Sequence, residues 1–286
     1  MKRALIFGSK GMTGWELSQR APSHGFETIA LAREDVDITD AAAVTAAMNR
    51  ARPDIVLNAA AYTAVDLAER NRDKAMSINS AGAGNVARAA AERDACLVHI
   101  STDYVFDGKA TTPYPPEHAV NPLGAYGESK RAGEDAVRSN SPKHAIVRTS
   151  WVFSHRGRNF VRTMLDRSRT AESLRVVNDQ YGRPTSAGDL ADTLLRIGGQ
   201  LCENPSLSGT WHFANEGITT WYEVARAIFE MKPGGPPIEA IATKDFPTLA
   251  RRPSYSVLDT RSLETTFGIQ PRPWRDALRE TLEQIH

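Results

Sequence analysis

The sequence predicts an α/β protein with a doubly wound parallel sheet and a smaller α/β region at its C-terminal end. Three observations predict it. A short apolar run, Arg3–Phe7, leads straight into Gly8-Ser9-Lys10-Gly11-Met12-Thr13-Gly14 and then into a helical stretch from Trp15. Apolar runs of strand length then alternate with helical stretches along roughly the first 150 residues. In one of those helical stretches Tyr126 and Lys130 stand four apart, hence on one helix face.

Each element follows from local chemistry. Arg3–Phe7 is too short for a signal peptide or a membrane span and reads as the first strand. Strand, glycine turn and helix together form a dinucleotide-binding arrangement. The glycines allow a tight turn and close approach to a pyrophosphate, and the helix N-terminus offers free N–H groups to it. The spacing here is G-x2-G-x2-G. Thr28–Ala32 reads as a second strand, and Thr39-Asp40 caps a helix over Ala41–Arg50. Ile55–Ala59, Cys96–Ser101 and Ala145–Arg148 are the third, fourth and fifth strands. Ser80–Arg93 and Gly124–Arg138 are helices between them. This alternation implies βαβ units, right-handed crossovers and a Rossmann-like sheet with ligands beyond the strands' carboxyl ends. Gly8, Asn58–Ala61, Ser101-Thr102 and Thr149-Ser150 fall at such ends. The expected division is a dinucleotide-binding domain over 1–150 and a substrate-binding region over 151–286, partly interleaved with the first. In the latter, Asn159–Arg169 and Ala187–Gly198 read as helices and Leu174–Val177 as a strand. Thr219–Glu223 opens a capped helix, and Pro273–Leu278 starts the last one with proline in its first turn. Met231–Pro237 is the one linker-like run.

Bulk properties narrow the class. A net charge of +1 with scattered basic residues argues against nucleic-acid and membrane partners. Cys96 lies in an apolar strand and reads as a buried thiol rather than half of a disulfide. The seven histidines are dispersed and offer no transition-metal cluster. A cytoplasmic location is expected.

The chemistry centres on Tyr126 and Lys130. A phenol titrates near 10 in water, and a nearby cation favours the phenolate. The pair could protonate a carbonyl oxygen while a hydride reaches its carbon. Seven tyrosines and eight lysines in 286 residues give about 0.2 such pairs by chance, so the pair gains meaning from its context. Ser101 and Thr102 compete for the role of hydrogen-bonding the carbonyl. Trp151, at a strand end, offers a flat apolar face for a sugar or base, or equally a core side chain. Arg252 or Arg251 could meet a diphosphate, and Asn159 could face it.

Gly8-x2-Gly11-x2-Gly14, Asn58-Ala59-Ala60, Ser101-Thr102-Asp103-Tyr104-Val105-Phe106-Asp107-Gly108 and Tyr126-x3-Lys130 together resemble the extended short-chain dehydrogenase/reductase superfamily. Within it, Asn58–Asp66, Arg148–Phe153, Asn178–Thr185 and Arg252-Pro253-x-Tyr255-Ser256-x-Leu258-Asp259 resemble the dTDP-4-dehydrorhamnose reductase family over nearly the whole chain. The resemblance implies an NAD(P)H-dependent reduction of the C4 ketone of dTDP-4-dehydro-β-L-rhamnose. Reduction of another 4-keto nucleotide sugar and a non-catalytic, cofactor-binding regulatory role are the alternatives. It also implies catalytic roles for Thr102, Tyr126 and Lys130, with Lys130 lowering the phenol's pKa. Cofactor contacts are implied at Gly8, Gly11, Met12, Thr13 and Gly14, at Arg33, Asp37 and Ile38, at Ala61, Tyr62 and Thr63, and at Tyr126 and Lys130. Val65, Thr102, Asp103, Tyr104 and Trp151 are implied to line the sugar pocket. A dehydratase of the superfamily would carry Asp-Glu after the Thr102 position; here Asp103 precedes Tyr104.

Cofactor choice stays open between two readings. Arg33, after the second strand, could pair with the 2′-phosphate of NADPH, whereas Glu34 and Asp35 could serve NADH. The resemblance also raises a homodimer bridged by Mg2+ through glutamates. Glu16 matches one such position, but Gly188 stands where another glutamate is expected, which puts the metal in doubt.

Overall fold

The computed structural model describes residues 1–285. Its centre is a six-stranded sheet. The strands are β1 (Lys2–Phe7), β2 (Phe26–Leu31), β3 (Ile55–Asn58), β4 (Cys96–Thr102), β5 (His144–Thr149) and the later segment Gly209–His212. Their spatial order is Gly209–His212, β5, β4, β3, β1, β2. Every neighbouring pair is parallel. The winding reverses beside β1, which pairs with β2 on one side and β3 on the other. Such a reversal opens a crevice at the strands' carboxyl ends.

The strands are buried on both faces, so they read as continuous apolar runs rather than alternating ones. Ala4, Ile6, Ile55, Leu57, Val98 and Val147 face Leu17, Leu190, Leu194 and Leu195, from the helices α1 (Met12–Arg20) and Ala187–Glu203. Leu5, Phe7, Val56, Leu97 and Ile146 face Val44, Val86 and Val137. Those three lie on Ala41–Ala51, Ala83–Glu92 and Ala125–Asn140. Asp40 caps the first of these, accepting from the amides of Ala42 and Ala43 at 3.0 Å.

Three features depart from expectation. Gly209–His212 extends the sheet at β5, and Ala187–Glu203 packs on it, so the C-terminal part of the chain completes the first sheet. The expected helix Ser80–Arg93 is the end of a longer one: Arg72–Met76, a π-helical stretch Ser77–Gly82, then Ala83–Glu92. Pro273 stands at the cap of helix Trp274–Glu283 rather than in its first turn.

Helix Arg261–Phe267 packs on the central sheet through Leu263 and Phe267, while other C-terminal elements gather around a separate apolar cluster. Val161, Met164, Val176, Val224, Ile228, Trp274 and Leu278 meet there. They come from helices Phe160–Ser168, Trp221–Met231 and Trp274–Glu283 and from strand Leu174–Val177, which pairs in parallel with Ile238–Ile241. Residues 232–237 form the loop between helix Trp221–Met231 and strand Ile238–Ile241, as their composition suggests.

Candidate active site

The glycine turn is built from contacts that exclude side chains. Gly8 has φ +80°, and a Cβ there would lie 2.7 Å from the Ala60 nitrogen. A Cβ on Gly14 would strike the Gly8 carbonyl. Gly11 caps α1 without any side-chain hydrogen bond, and the first turn carries no acid. The opening N–H groups of α1 are therefore left for an anion.

A cavity of about 530 Å³ lies at the sheet's carboxyl edge. Gly11, Met12, Thr13 and Gly14 line one wall, and Ala61, Thr63 and Val65 continue it. Thr102, Asp103, Tyr104, Tyr126, Lys130 and Trp151 line the rest. Most of the residues singled out in the sequence thus meet around one space. Gly8 lies beneath the turn. Arg33, Asp37, Ile38 and Tyr62 do not line the cavity. Arg33 is exposed and pairs with Asp37 at 3.4 Å. The Thr39 amide and hydroxyl hold the Asp37 carboxyl below its ordinary range. Ile38 is buried where a Cβ on Gly82 would collide with it. Tyr62 exchanges backbone hydrogen bonds with the Asn79 amide at 2.7 and 3.0 Å.

Strand alternation separates the two hydroxyls. The Ser101 hydroxyl donates to Glu134 Oε1 at 2.6 Å. Thr102 Oγ1 accepts from the Tyr104 amide at 3.2 Å and donates to Asp103 Oδ1 at 3.0 Å. The Ser101 hydroxyl is committed to a buried network with Arg148, whose Nε reaches the same Glu134 oxygen at 2.8 Å. That leaves Thr102 facing the phenol.

Electrostatics correct one expectation. Burial pushes the Tyr126 phenol above its ordinary value, while the Thr102 hydroxyl works in the opposite direction. Burial outweighs every influence that would draw it down. The lysine Nζ donates to the Ile100 carbonyl at 2.7 Å and lies 3.4 Å from His99 Nε2. Burial lowers Lys130 to about 8, with Glu134 opposing. Burial raises Asp103 to about 6, against hydrogen bonds from Ser256 and Thr102. Its Oδ2 is buried without a partner among the described residues.

The aromatic wall includes a residue that the sequence did not flag. Trp151 has φ +49° and stacks on Trp221, with ring centroids 3.7 Å apart and planes 13° from parallel. Gly182 leaves room for the Trp151 ring, which a Cβ would strike at 2.5 Å. Tyr104 meets Tyr126 edge-on at 5.6 Å. Asn159 does not face the cavity as a ligand would. Its Oδ1 caps helix Phe160–Ser168, and its amide bonds the Ser154 carbonyl at 2.8 Å. Arg252 is tied to Asp66 at 2.6 Å and to the Tyr104 hydroxyl at 3.0 Å. It lines an adjoining cavity of about 340 Å³, along with Arg167 and Arg175, and that cavity shares Tyr104, Phe160 and Trp221 with the first.

The candidate metal position does not fit a cation. Glu16 is held by Arg20 at 2.9 Å. A Cβ on Gly188 would lie 2.6 Å from the same guanidinium. No helix among the described residues is long and apolar enough to cross a membrane.

The whole chain, residues 1–286, matches the family model described as RmlD substrate binding domain. It is 42% identical to the spore coat polysaccharide biosynthesis protein SpsK of Bacillus subtilis, covering 99% of this chain and 98% of that protein. It is 39% identical to a dTDP-4-dehydrorhamnose reductase of Aggregatibacter actinomycetemcomitans, over 98% of each. A crystal structure of dTDP-4-dehydrorhamnose reductase from Bacillus anthracis in complex with NADP superposes with a TM-score of 0.93. That comparison covers 99% of both chains at 35% identity. A match that runs unbroken through sheet, cavity and C-terminal helices places this chain in the RmlD substrate binding domain family.

Proposed function

We infer that this protein is an NADPH-dependent reductase that converts the C4 ketone of dTDP-4-dehydro-β-L-rhamnose to the alcohol, giving dTDP-β-L-rhamnose. The observation that carries the chemistry is the convergence of Thr102, Tyr126 and Lys130 on the cavity that the uncapped N-terminus of α1 also lines. The cradle fits a dinucleotide. Glycines stand where side chains would collide, and N–H groups are aimed at a pyrophosphate with no acid to repel it. NADPH, when bound, supplies the hydride. Arg33 and Lys10, which pair with Asp37 and Glu34 beyond the end of β2, are the cations that would exchange those partners for its 2′-phosphate.

Tyr126 then gives its proton to the ketone oxygen. A raised phenol suits this direction, because reduction consumes the protonated form. An alkoxide is a stronger base than a phenolate, so the transfer runs downhill. Thr102 hydrogen-bonds the same oxygen and orients it. Lys130 supplies a buried positive charge beside the site. Val65, Asp103, Tyr104 and the Trp151–Trp221 stack shape the sugar pocket. The adjoining cavity, with Arg167, Arg175 and Arg252, takes the anionic diphosphate and its nucleoside. In this reading the chain divides near residue 150, and Ala187–Glu203 and Gly209–His212 are the interleaved part that returns to the first sheet.

The test is to give purified protein NADPH and a panel of 4-keto sugar nucleotides and to follow the nicotinamide absorbance. Rapid loss with the dTDP-linked rhamnose precursor is expected. Absence of turnover with every member of the panel would remove the reductase reading, and preference for another sugar would reassign the substrate.

A further inference from the structure

Behind Lys130 lies a buried polar chain that the reaction as described leaves unused. Ala60 donates its backbone N–H to Asn58 Oδ1 at 3.2 Å. That bond fixes the amide orientation and turns Nδ2 toward His99 Nδ1, 3.1 Å away. An amide nitrogen only donates, so Nδ1 must accept. A neutral imidazole that accepts at Nδ1 carries its proton on Nε2. Nε2 is the atom that faces Lys130 Nζ at 3.4 Å. An ammonium there meets a donor; a neutral amine, with its lone pair, meets a partner. Both Asn58 and His99 are 1% exposed, so water does not relieve the mismatch.

We propose that Asn58 and His99 form a hydrogen-bonded pair that governs the charge of Lys130: by turning an N–H toward Nζ, the pair lets the ammonium give up its proton at a lower pH than an exposed lysine does. They are positioning residues: they act through Lys130. The pair also links Lys130 to the cofactor wall, because a tautomer change at His99 requires an amide flip at Asn58 and takes the acceptor from the Ala60 N–H. The other groups around Lys130 do not do this. Glu134, one turn along the same helix, opposes deprotonation but is held by Arg148 and Arg138. Tyr126 lies one turn the other way. Thr102, the last residue of β4, and Asp103, just beyond it, pair with each other. His144, on β5, acts on His99 rather than on Lys130.

The test is a 13Cε-lysine NMR titration of the full-length protein, with Lys130 identified by its absence in Lys130→Arg. Lys130 should titrate below the other seven lysines. His99→Leu removes the opposing N–H and should raise that midpoint by about 0.5–1 pH unit. His99→Gln keeps a donor toward Nζ and an acceptor toward Asn58, and should stay at the wild-type midpoint. A purely structural His99 would cost stability in both variants without moving Lys130, and that outcome overturns the proposal. The wild-type protein gives an independent check: 15N NMR above the Lys130 midpoint should show the Nε2–H tautomer, and finding Nδ1–H is equally fatal. These readouts do not depend on turnover. The kinetic arm alone rests on the reductase reading. In it, the basic limb of kcat/KM should move with the NMR midpoint. A wild-type protein inactive on every ketone would fail that reading and leave the Lys130 result standing.

Discussion

The Tyr126 hydroxyl is one atom whose removal separates binding from chemistry. Tyr126→Phe keeps the ring that meets Tyr104 edge-on and deletes only the proton donor. It should bind NADPH almost as wild type while losing about 10²–10⁴ in kcat. Near wild-type turnover would dismiss Tyr126 as the acid. Asp103 gives a second residue-scale test through stability. Its folded-state value of about 6 lies above an unfolded value near 3.8. The folded protein therefore favours the neutral carboxyl. That contribution is complete below the unfolded value and lost as pH rises through about 6, with a size of about 1–3 kcal/mol. Asp103→Asn cannot ionise, so its Tm relative to wild type should climb between pH 4 and pH 7. A difference that is flat with pH would mean that Asp103 does not titrate as a buried acid. The motif residues were legible because their chemistry is local: a phenol and an amine one turn apart, and hydroxyls at a strand end. His99 and Trp221 were not. A histidine inside an apolar strand and a tryptophan at a helix start acquire meaning only from what folding brings beside them.

The turn between β1 and α1 shows how one element separates folding from binding. A Cβ on Gly11 would touch only the Gly8 carbonyl, at 3.3 Å, and Gly11 has an ordinary φ of −70°. Gly11→Val should fold, yet fill the approach to the helix N-terminus and weaken NADPH binding by about tenfold or more. Gly14→Ala collides with the Gly8 backbone, which cannot swing aside. It should lower Tm, and cofactor binding should fall with folded fraction. Fluorescence titration beside thermal melts distinguishes the two, and a Gly11→Val variant with unchanged affinity would take the turn out of the site. Legibility differed by element for similar physical reasons. Strands buried on both faces announced themselves as apolar runs. The strand Gly209–His212 is four residues long, begins with glycine and lies at the sheet's edge, so it carries little pattern. The helix from Arg72 begins with Arg-Asp-Lys, and its register slips through the π-helical stretch at Ser77–Gly82. Sequence periodicity resumes only beyond that stretch. The slip places Asn79 where it braces both Tyr62 and the Ser129 hydroxyl on the Tyr126 helix, 2.9 Å away.

Across the whole molecule, α1 and helix Ala187–Glu203 are joined by a cation that belongs to the chain. Arg20 reaches Glu16 at 2.9 Å and Asp192 at 2.7 Å, and passes over Gly188. The family resemblance raised a bridging Mg2+ at this face. A divalent cation there would have to expel the guanidinium from two carboxylates, and Gly188 offers it no side-chain oxygen. Both steps oppose binding: hard cations need several oxygen ligands, and a displaced Arg20 would leave its own pairs unmade. Turnover is therefore expected to survive exhaustive chelation, and the sedimentation coefficient should not change when Mg2+ is added back. Arg20→Met adds a control. It frees Glu16 and Asp192, so any latent affinity for the metal should surface in that variant first. Loss of wild-type activity on chelation, restored by Mg2+ and accompanied by a shift in sedimentation, would show that the cation displaces Arg20 after all. Activity that follows the metal in Arg20→Met alone would locate the difference in this single guanidinium.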